Sequence, residues 1–150
     1  MEMRLAFEGF SPRVRTWLDQ VQEVGLWGLF RHPVAKVWHH GQTAAILGDA
    51  AHPTLPFLAQ GANMALEDAW VLAATLDAHA DRATALAAYQ TARRPRTTRI
   101  VAAADRNAAV YHASGLRRLV RHGALRAAGL VAPDVPLRRL DWLYGTDVTA

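Results

Sequence analysis

Thr43-Ala44-Ala45-Ile46-Leu47 is an uncharged run that ends in Gly48-Asp49. A short apolar run stopped by a turn pair predicts a strand buried on both faces, as in a parallel sheet. Such a strand needs hydrogen-bonded neighbours, and parallel neighbours are reached through crossovers of a dozen or more residues. No strand–helix–strand series surrounds this run. Its expected partners therefore lie in another chain or in sequence outside these 150 residues.

The rest of the chain is read from its punctuation. Ser11 is a candidate N-cap and Pro12 the first residue of a helix along which Val14, Trp17, Leu18 and Val21 recur, with Gly25 closing the stretch. Leu26 to Arg31 reads as a short strand, Ala35 to His39 as another after Pro33, and Gly41-Gln42 as a turn. Pro53, Pro56 and Gly61 make His52 to Gly61 a loop. From Ala62 to about Ala78 the pattern is helical and apolar nearly all round, which predicts burial. Asp81 is placed to cap a second long helix with Leu86, Tyr89 and Ala92 on one face; Pro95 is expected to kink or break it before it resumes through Arg99 to Val110. Leu116 to Leu130 is amphipathic and arginine-rich, Pro133 and Pro136 are expected to end the regular structure, and the aromatic tail Leu140 to Gly145 is expected to dock.

Composition narrows the chemistry. With no cysteine, the chain has no disulfide scaffold, thiolate zinc site, iron–sulfur ligation or thiol catalysis, and it fits a reducing cytoplasm. The N-terminal residues carry Glu2, Arg4 and Glu8, unlike a signal or transit peptide, and no apolar run approaches the roughly 20 residues of a membrane span. A net charge of +4 raises nucleic acid as a partner, but no helix-turn-helix or aromatic-interleaved basic pattern accompanies it. A solvated basic face, or a groove for an anionic ligand, is the expected reading.

The chemistry concentrates in Gly48-Asp49-Ala50-Ala51-His52-Pro53, Gln60-Gly61-Ala62-Asn63 and Glu67-Asp68-Ala69. An acidic residue at a strand end can accept hydrogen bonds from ligand hydroxyls. A helix starting after Gly61 offers free N–H groups and partial positive charge to an anionic or electron-rich edge. Gly61 and Ala62 leave room for a flat ligand against the backbone. Glu67 and Asp68 read most simply as charges that complement the start of that helix. Asp49 could equally be a plain turn residue. Asp49 and His52 with His39 or His40 match no standard zinc spacing, so no metal is expected. Arg93, Arg94 and Arg96 are either surface residues or lie near a pyrophosphate.

This segment resembles the second FAD-binding motif of the class A flavoprotein monooxygenases, the salicylate and 4-hydroxybenzoate hydroxylase group, over Gly48 to about Leu76. Trp38 and Gly41, the Tyr89, Arg93, Arg94 and Arg96 helix, and the ending Asp141-Trp142-Leu143-Tyr144-Gly145 are similar in a weaker way. The resemblance implies a cofactor site made by Gly48, Asp49, Pro53, Gly61, Ala62 and Asn63. Asp49 would bond the ribityl hydroxyls, and the helix start would face flavin N1 and the C2 carbonyl. Pro56 and Phe57 would lie on the substrate side, and His52 is a weak candidate base.

The implied activity is hydroxylation of an aromatic or heteroaromatic acid with FAD, NAD(P)H and molecular oxygen. The implied fold is α/β, of which this chain is a mostly helical part with a few strands. Residues 1–42 would end the substrate-binding domain, 43–110 would form the C-terminal part of a Rossmann-like FAD-binding domain, and 111–150 a helical tail. The family's Gly-x-Gly-x-x-Gly fold and central Asp-Gly motif are not found in these residues. A C-terminal fragment, inactive without that N-terminal segment or a separate chain carrying it, is therefore expected, and a homodimer is compatible with it. The alternatives are a non-catalytic remnant and a split-enzyme subunit that completes a flavin site with another chain.

Overall fold

The computed structural model describes residues 2–131 and 134–149. It is mostly helical: α1 (Glu2–Ala6), α2 (Pro12–Asp19), α3 (Gly61–Ala78), α4 (Arg82–Tyr111), α5 (Gly115–Val131), α6 (Val135–Arg138) and α7 (Asp141–Tyr144). The strands β1 (His39–His40) and β2 (Ala44–Ala45) form one antiparallel hairpin, with His39 opposite Ala45 and His40 opposite Ala44. Short 3-10 turns at Gly48–Ala50 and Pro56–Leu58 lead into α3.

Helix α4 organises the chain. Its buried residues Ala85, Tyr89, Arg93, Thr97, Ile100, Ala104 and Ala108 recur every three or four positions, so they form one stripe. Asp81 caps it as expected: its carboxylate accepts the Thr84 backbone N–H at 2.9 Å and the Thr84 hydroxyl at 2.6 Å. At one end of the stripe Tyr89 packs with Trp38 and Ala51; at the other Ile100 packs with Met64 and Leu143. Burying an aromatic ring of about 150–250 Å² contributes roughly 4–6 kcal/mol before entropy is counted, so the Trp38–Tyr89 contact is a main anchor. Trp38 is further held by its backbone N–H, which donates to the Gln90 side chain at 2.7 Å. The C-terminal tail docks, with Leu143 2% exposed and the Arg99 guanidinium 3.8 Å from the Trp142 ring centre.

Several sequence expectations are corrected. Leu26 to Arg31 is not a strand; Leu26 and Trp27 are 100% and 85% exposed. Ala35 to His39 contributes to a strand only at His39. The run Thr43–Leu47 is strand only at Ala44–Ala45, pairs antiparallel with its own hairpin, and is not buried on both faces. The reason is common to all three: an extended segment needs a neighbouring edge, and the described residues offer only the hairpin.

Helix α3 is likewise not buried all round. Met64 and Asp68 are enclosed while Leu66 and Trp70 are 71% and 52% exposed. Helix α2 stops at Asp19, short of Val21, and Ser11 makes no side-chain cap bond. Pro95 does not break α4. It sits on the exposed side, so the carbonyl left without its N–H partner faces solvent while the opposite stripe stays packed. Ala92 is exposed rather than on the packed face. Pro136 lies in the first turn of α6, where proline is tolerated, rather than ending regular structure; Pro133 is outside the described residues.

Candidate functional site

The turn from Gly48 to His52 is tight because Gly48 adopts φ +58, and the Gly48 carbonyl accepts the Ala51 and His52 backbone N–H groups, both at 2.9 Å. A Cβ on Gly48 would lie 3.2 Å from the Ala65 Cβ, so the turn sits directly on α3. Asp49 is exposed between these anchored residues, and no ion pair among the described residues uses it. Its Oδ1 lies 3.8 Å from where a Gly61 Cβ would be. Asp49 and Gly61 therefore stand side by side, with the Thr54 methyl next to them at 3.6 Å from that Cβ position.

Gly61 is the first residue of α3. The Gln60 side chain makes no capping bond there, and the first turn holds no acidic residue. The first backbone bond into the helix is Met64 N–H to the Gln60 carbonyl, leaving the amides of Gly61, Ala62 and Asn63 without acceptors among the described residues. Ala59, at φ +52, turns the chain into this helix start and holds a conformation that costs a non-glycine residue about 1–3 kcal/mol. The preceding 3-10 turn is supported from α4: Asn107 donates to the Phe57 carbonyl at 2.7 Å, and the Phe57 ring stacks on Tyr111 at 5.7 Å with His112 edge-on at 5.8 Å. Pro56 is exposed; Pro53 and Phe57 are half-buried.

His52 is fully buried. Its Nε2 lies 2.5 Å from Asp68 Oδ2. It points into the protein and not into the space between Asp49 and Gly61, so nothing in its position suits a base acting on a substrate. Asp68, also fully buried, accepts the Gly48 N–H at 3.0 Å and the Arg93 Nε–H at 2.8 Å. Arg93 reaches Glu67 at 2.7 Å through Nη2. Glu67 also takes a two-pronged bond from Arg96, which in turn donates to the Trp142 and Leu143 carbonyls at 3.1 Å. Of the three arginines, Arg93 and Arg96 are thus internal ties, and Arg94 donates to the Ala35 carbonyl at 3.2 Å from an exposed position. Glu67 and Asp68 are not helix-start charges: they stand on the side of α3 that faces α4.

The sequence reading missed this network. Its signal was present in the spacing. Asp68 follows the apolar Met64 by four residues, and Arg93 stands four from both Tyr89 and Thr97, so each charge falls on a packed stripe.

The network sets an acid limit on stability. Burial pushes the Glu67 carboxyl up, but the Arg96 and Arg93 hydrogen bonds outweigh it and hold it below its ordinary 4.5. Burial also pushes Asp68 up, and His52, Arg93 and the Gly48 N–H hold it below its ordinary 3.8. Carboxylates depressed on folding stabilise fully above their unfolded values, and the contribution drains as pH falls through the folded ones. The melting temperature of the chain is expected to hold steady above about pH 5 and to fall steeply below about pH 4. Glu67→Gln should flatten that slope when melting is followed by circular dichroism across the pH series.

The chain is similar to known proteins along most of its length. The family described as FAD binding domain matches residues 13–104. A 3-hydroxybenzoate 6-hydroxylase of Klebsiella oxytoca is 41% identical over 141 residues, covering 93% of this chain and 34% of the relative. A 3-amino-4-hydroxybenzoate 2-monooxygenase of Streptomyces platensis is 34% identical over 149 residues, covering 96% of this chain and 35% of the relative. A kynurenine 3-monooxygenase of Salinispora tropica is 48% identical over 86 residues, covering 53% of this chain and 18% of the relative. The chain thus spans about a third of the first two relatives. The matched residues take in the Gly48 turn, the start of α3 and the arginine ties of α4, and the chain belongs to the FAD-binding-domain family of class A FAD-dependent aromatic monooxygenases.

Proposed function

We propose that this chain forms the flavin-ring side of an FAD-dependent hydroxylase acting on a hydroxy- or amino-substituted aromatic acid, with NAD(P)H as the electron donor. The single observation that carries this reading is the adjacency of Asp49 and Gly61: an exposed carboxylate with no ion-pair partner among the described residues, beside a helix start whose amides are uncapped among them. The donor set fits the cofactor. Asp49 would accept hydrogen bonds from the ribityl hydroxyls, and Gly48 would fix the turn that presents it. The Gly61, Ala62 and Asn63 amides would stabilise negative charge on the pyrimidine edge, by about 0.3–1 kcal/mol when exposed and about 2 kcal/mol when partly buried. Pro53, Pro56 and Phe57 would border the ring and exclude water on the substrate side. When bound, FAD supplies the redox chemistry that inserts one oxygen atom into the ring, while the protein orients and polarises. The aromatic acid is taken from the relatives, whose names specify hydroxybenzoates.

We further propose that the ADP half of FAD is held by a dinucleotide-binding segment outside these residues, in the same polypeptide or in a partner. The apolar residues Leu66, Trp70 and Leu76, exposed on α3, fit contact with such a segment. The 150 residues alone are expected to retain no flavin. Supplied with a Gly-x-Gly-x-x-Gly segment of the family, they should acquire the visible absorbance of bound flavin. In that complex Asp49→Asn should weaken FAD binding by about tenfold, roughly 1.4 kcal/mol. Flavin binding that ignores Asp49→Asn would count against the placement. No flavin uptake by the wild-type complex would defeat the reading itself.

A further inference from the structure

We propose that Asp68 is a positioning residue for the flavin-facing turn: from inside α3 its carboxylate clamps both ends of Gly48–His52 and so fixes where Asp49 stands against the start of the same helix. This rests on the flavin reading above for its functional consequence.

The clamp is visible in one oxygen. Asp68 Oδ2 accepts the Gly48 N–H at 3.0 Å and meets His52 Nε2 at 2.5 Å, so the first and last residues of the turn share it. The other oxygen, Oδ1, takes the Arg93 Nε–H at 2.8 Å, which orients the carboxylate from α4. The turn is closed by its own backbone bonds to the Gly48 carbonyl and seated on Ala65. Asp49 is the acidic residue of that loop left exposed. Its position relative to Gly61 is thus set by a side chain two turns further along α3. Only a carboxylate serves all three donors. An asparagine has one acceptor oxygen, and its amide group would face a donor at one of the three contacts. A second carboxylate that reads as a helix charge in the sequence becomes, in the fold, the part that aligns the first.

The test uses this chain combined with the family's dinucleotide-binding segment, with FAD as the titrant. Asp68→Asn is expected to keep the helical circular dichroism, speed hydrogen exchange at the Gly48 amide, and weaken FAD binding at least tenfold with an altered visible dichroism of the bound flavin. Asp49→Asn is expected to weaken FAD binding while leaving Gly48 exchange as in the wild type. An Asp68 that only stabilises the fold would lower the melting temperature and leave FAD affinity below that temperature unchanged; that result overturns the proposal. Should Asp68→Asn fail to fold, His52→Gln removes one arm alone. It should weaken FAD binding several-fold with Gly48 exchange still slow, and wild-type affinity in that variant overturns the proposal as well. A wild-type complex that takes up no FAD defeats the flavin reading instead. The clamp is then decided by Gly48 exchange in Asp68→Asn: fast exchange supports it and unchanged exchange overturns it.

Discussion

Arg93→Ala is expected to destabilise the chain by about 3–5 kcal/mol, enough to leave much of it unfolded at room temperature. Arg93 is 2% exposed, and its guanidinium lies between two carboxylates, at 2.8 Å from Asp68 and 2.7 Å from Glu67. Taking it away leaves Asp68 ionised and fully buried, with only the Gly48 N–H and His52 to answer its charge. A buried charge that loses its partner costs several kcal/mol, whereas removing an exposed pair costs about 1 kcal/mol or less. The lost guanidinium also leaves a void between α3 and α4, which adds a packing cost. Arg93→Lys should recover only part of the loss, because a single ammonium cannot span both carboxylates. Arg93→Met should recover little, since volume is restored while the charges stay unmatched. Pairing Arg93→Met with Asp68→Asn should cost less than the two changes added together, because each removes the penalty that the other creates. Urea denaturation followed by circular dichroism measures these variants and Asp68→Asn alone. A loss below about 1 kcal/mol for Arg93→Ala would show that water reaches Asp68 and that the buried-network reading is wrong.

The same network explains what the sequence could and could not disclose. Local rules worked where the cause is local. Asp81 caps α4 because its carboxylate reaches residues three positions away, and Pro53 and Pro56 keep the approach to α3 irregular. The docking tail was legible because Leu140, Trp142 and Leu143 are too apolar to stay in water. The strands were over-read because β-structure is a relation between segments. Thr43–Leu47 has a strand's composition, yet among the described residues it meets only its own hairpin. The burial of α3 was over-read for the same reason: apolar faces specify that something covers them, not that the cover lies within this chain. Pro95 misled because a missing N–H costs a helix less where its carbonyl partner can meet water, and both Thr91 and Pro95 are exposed. At the candidate site the motif singled out Asp49 and Gly61 but not the buried charges beneath them. Asp68 and Arg93 are separated by 25 positions, and only the packing of α3 against α4 brings their charges together.

Gly61→Val is expected to leave stability within about 1 kcal/mol of the wild type and to weaken FAD binding about a hundredfold, or roughly 2.7 kcal/mol. The two effects separate because the protein itself does not need glycine there. Gly61 does not have a positive φ, and a Cβ would meet Thr54 and Asp49 at 3.6 and 3.8 Å, ordinary contact distances. Losing glycine at the first helical position also removes some freedom from the unfolded chain, and the helix preference of valine, though weak, is not below that of glycine. If the glycine serves anything, it serves the space in front of it. That space lies between the Asp49 carboxylate and the uncapped amides of α3, and branched methyls would stand in it. Gly61→Ala, with a single methyl, should give an intermediate loss. The series is read by melting the chain alone and by titrating FAD into the complex with its dinucleotide-binding segment. A valine variant that melts normally and still binds FAD like the wild type would mean that the flavin ring lies elsewhere on the surface. A variant that loses flavin while its melting temperature holds would assign the missing side chain at Gly61 to the ligand and not to the fold.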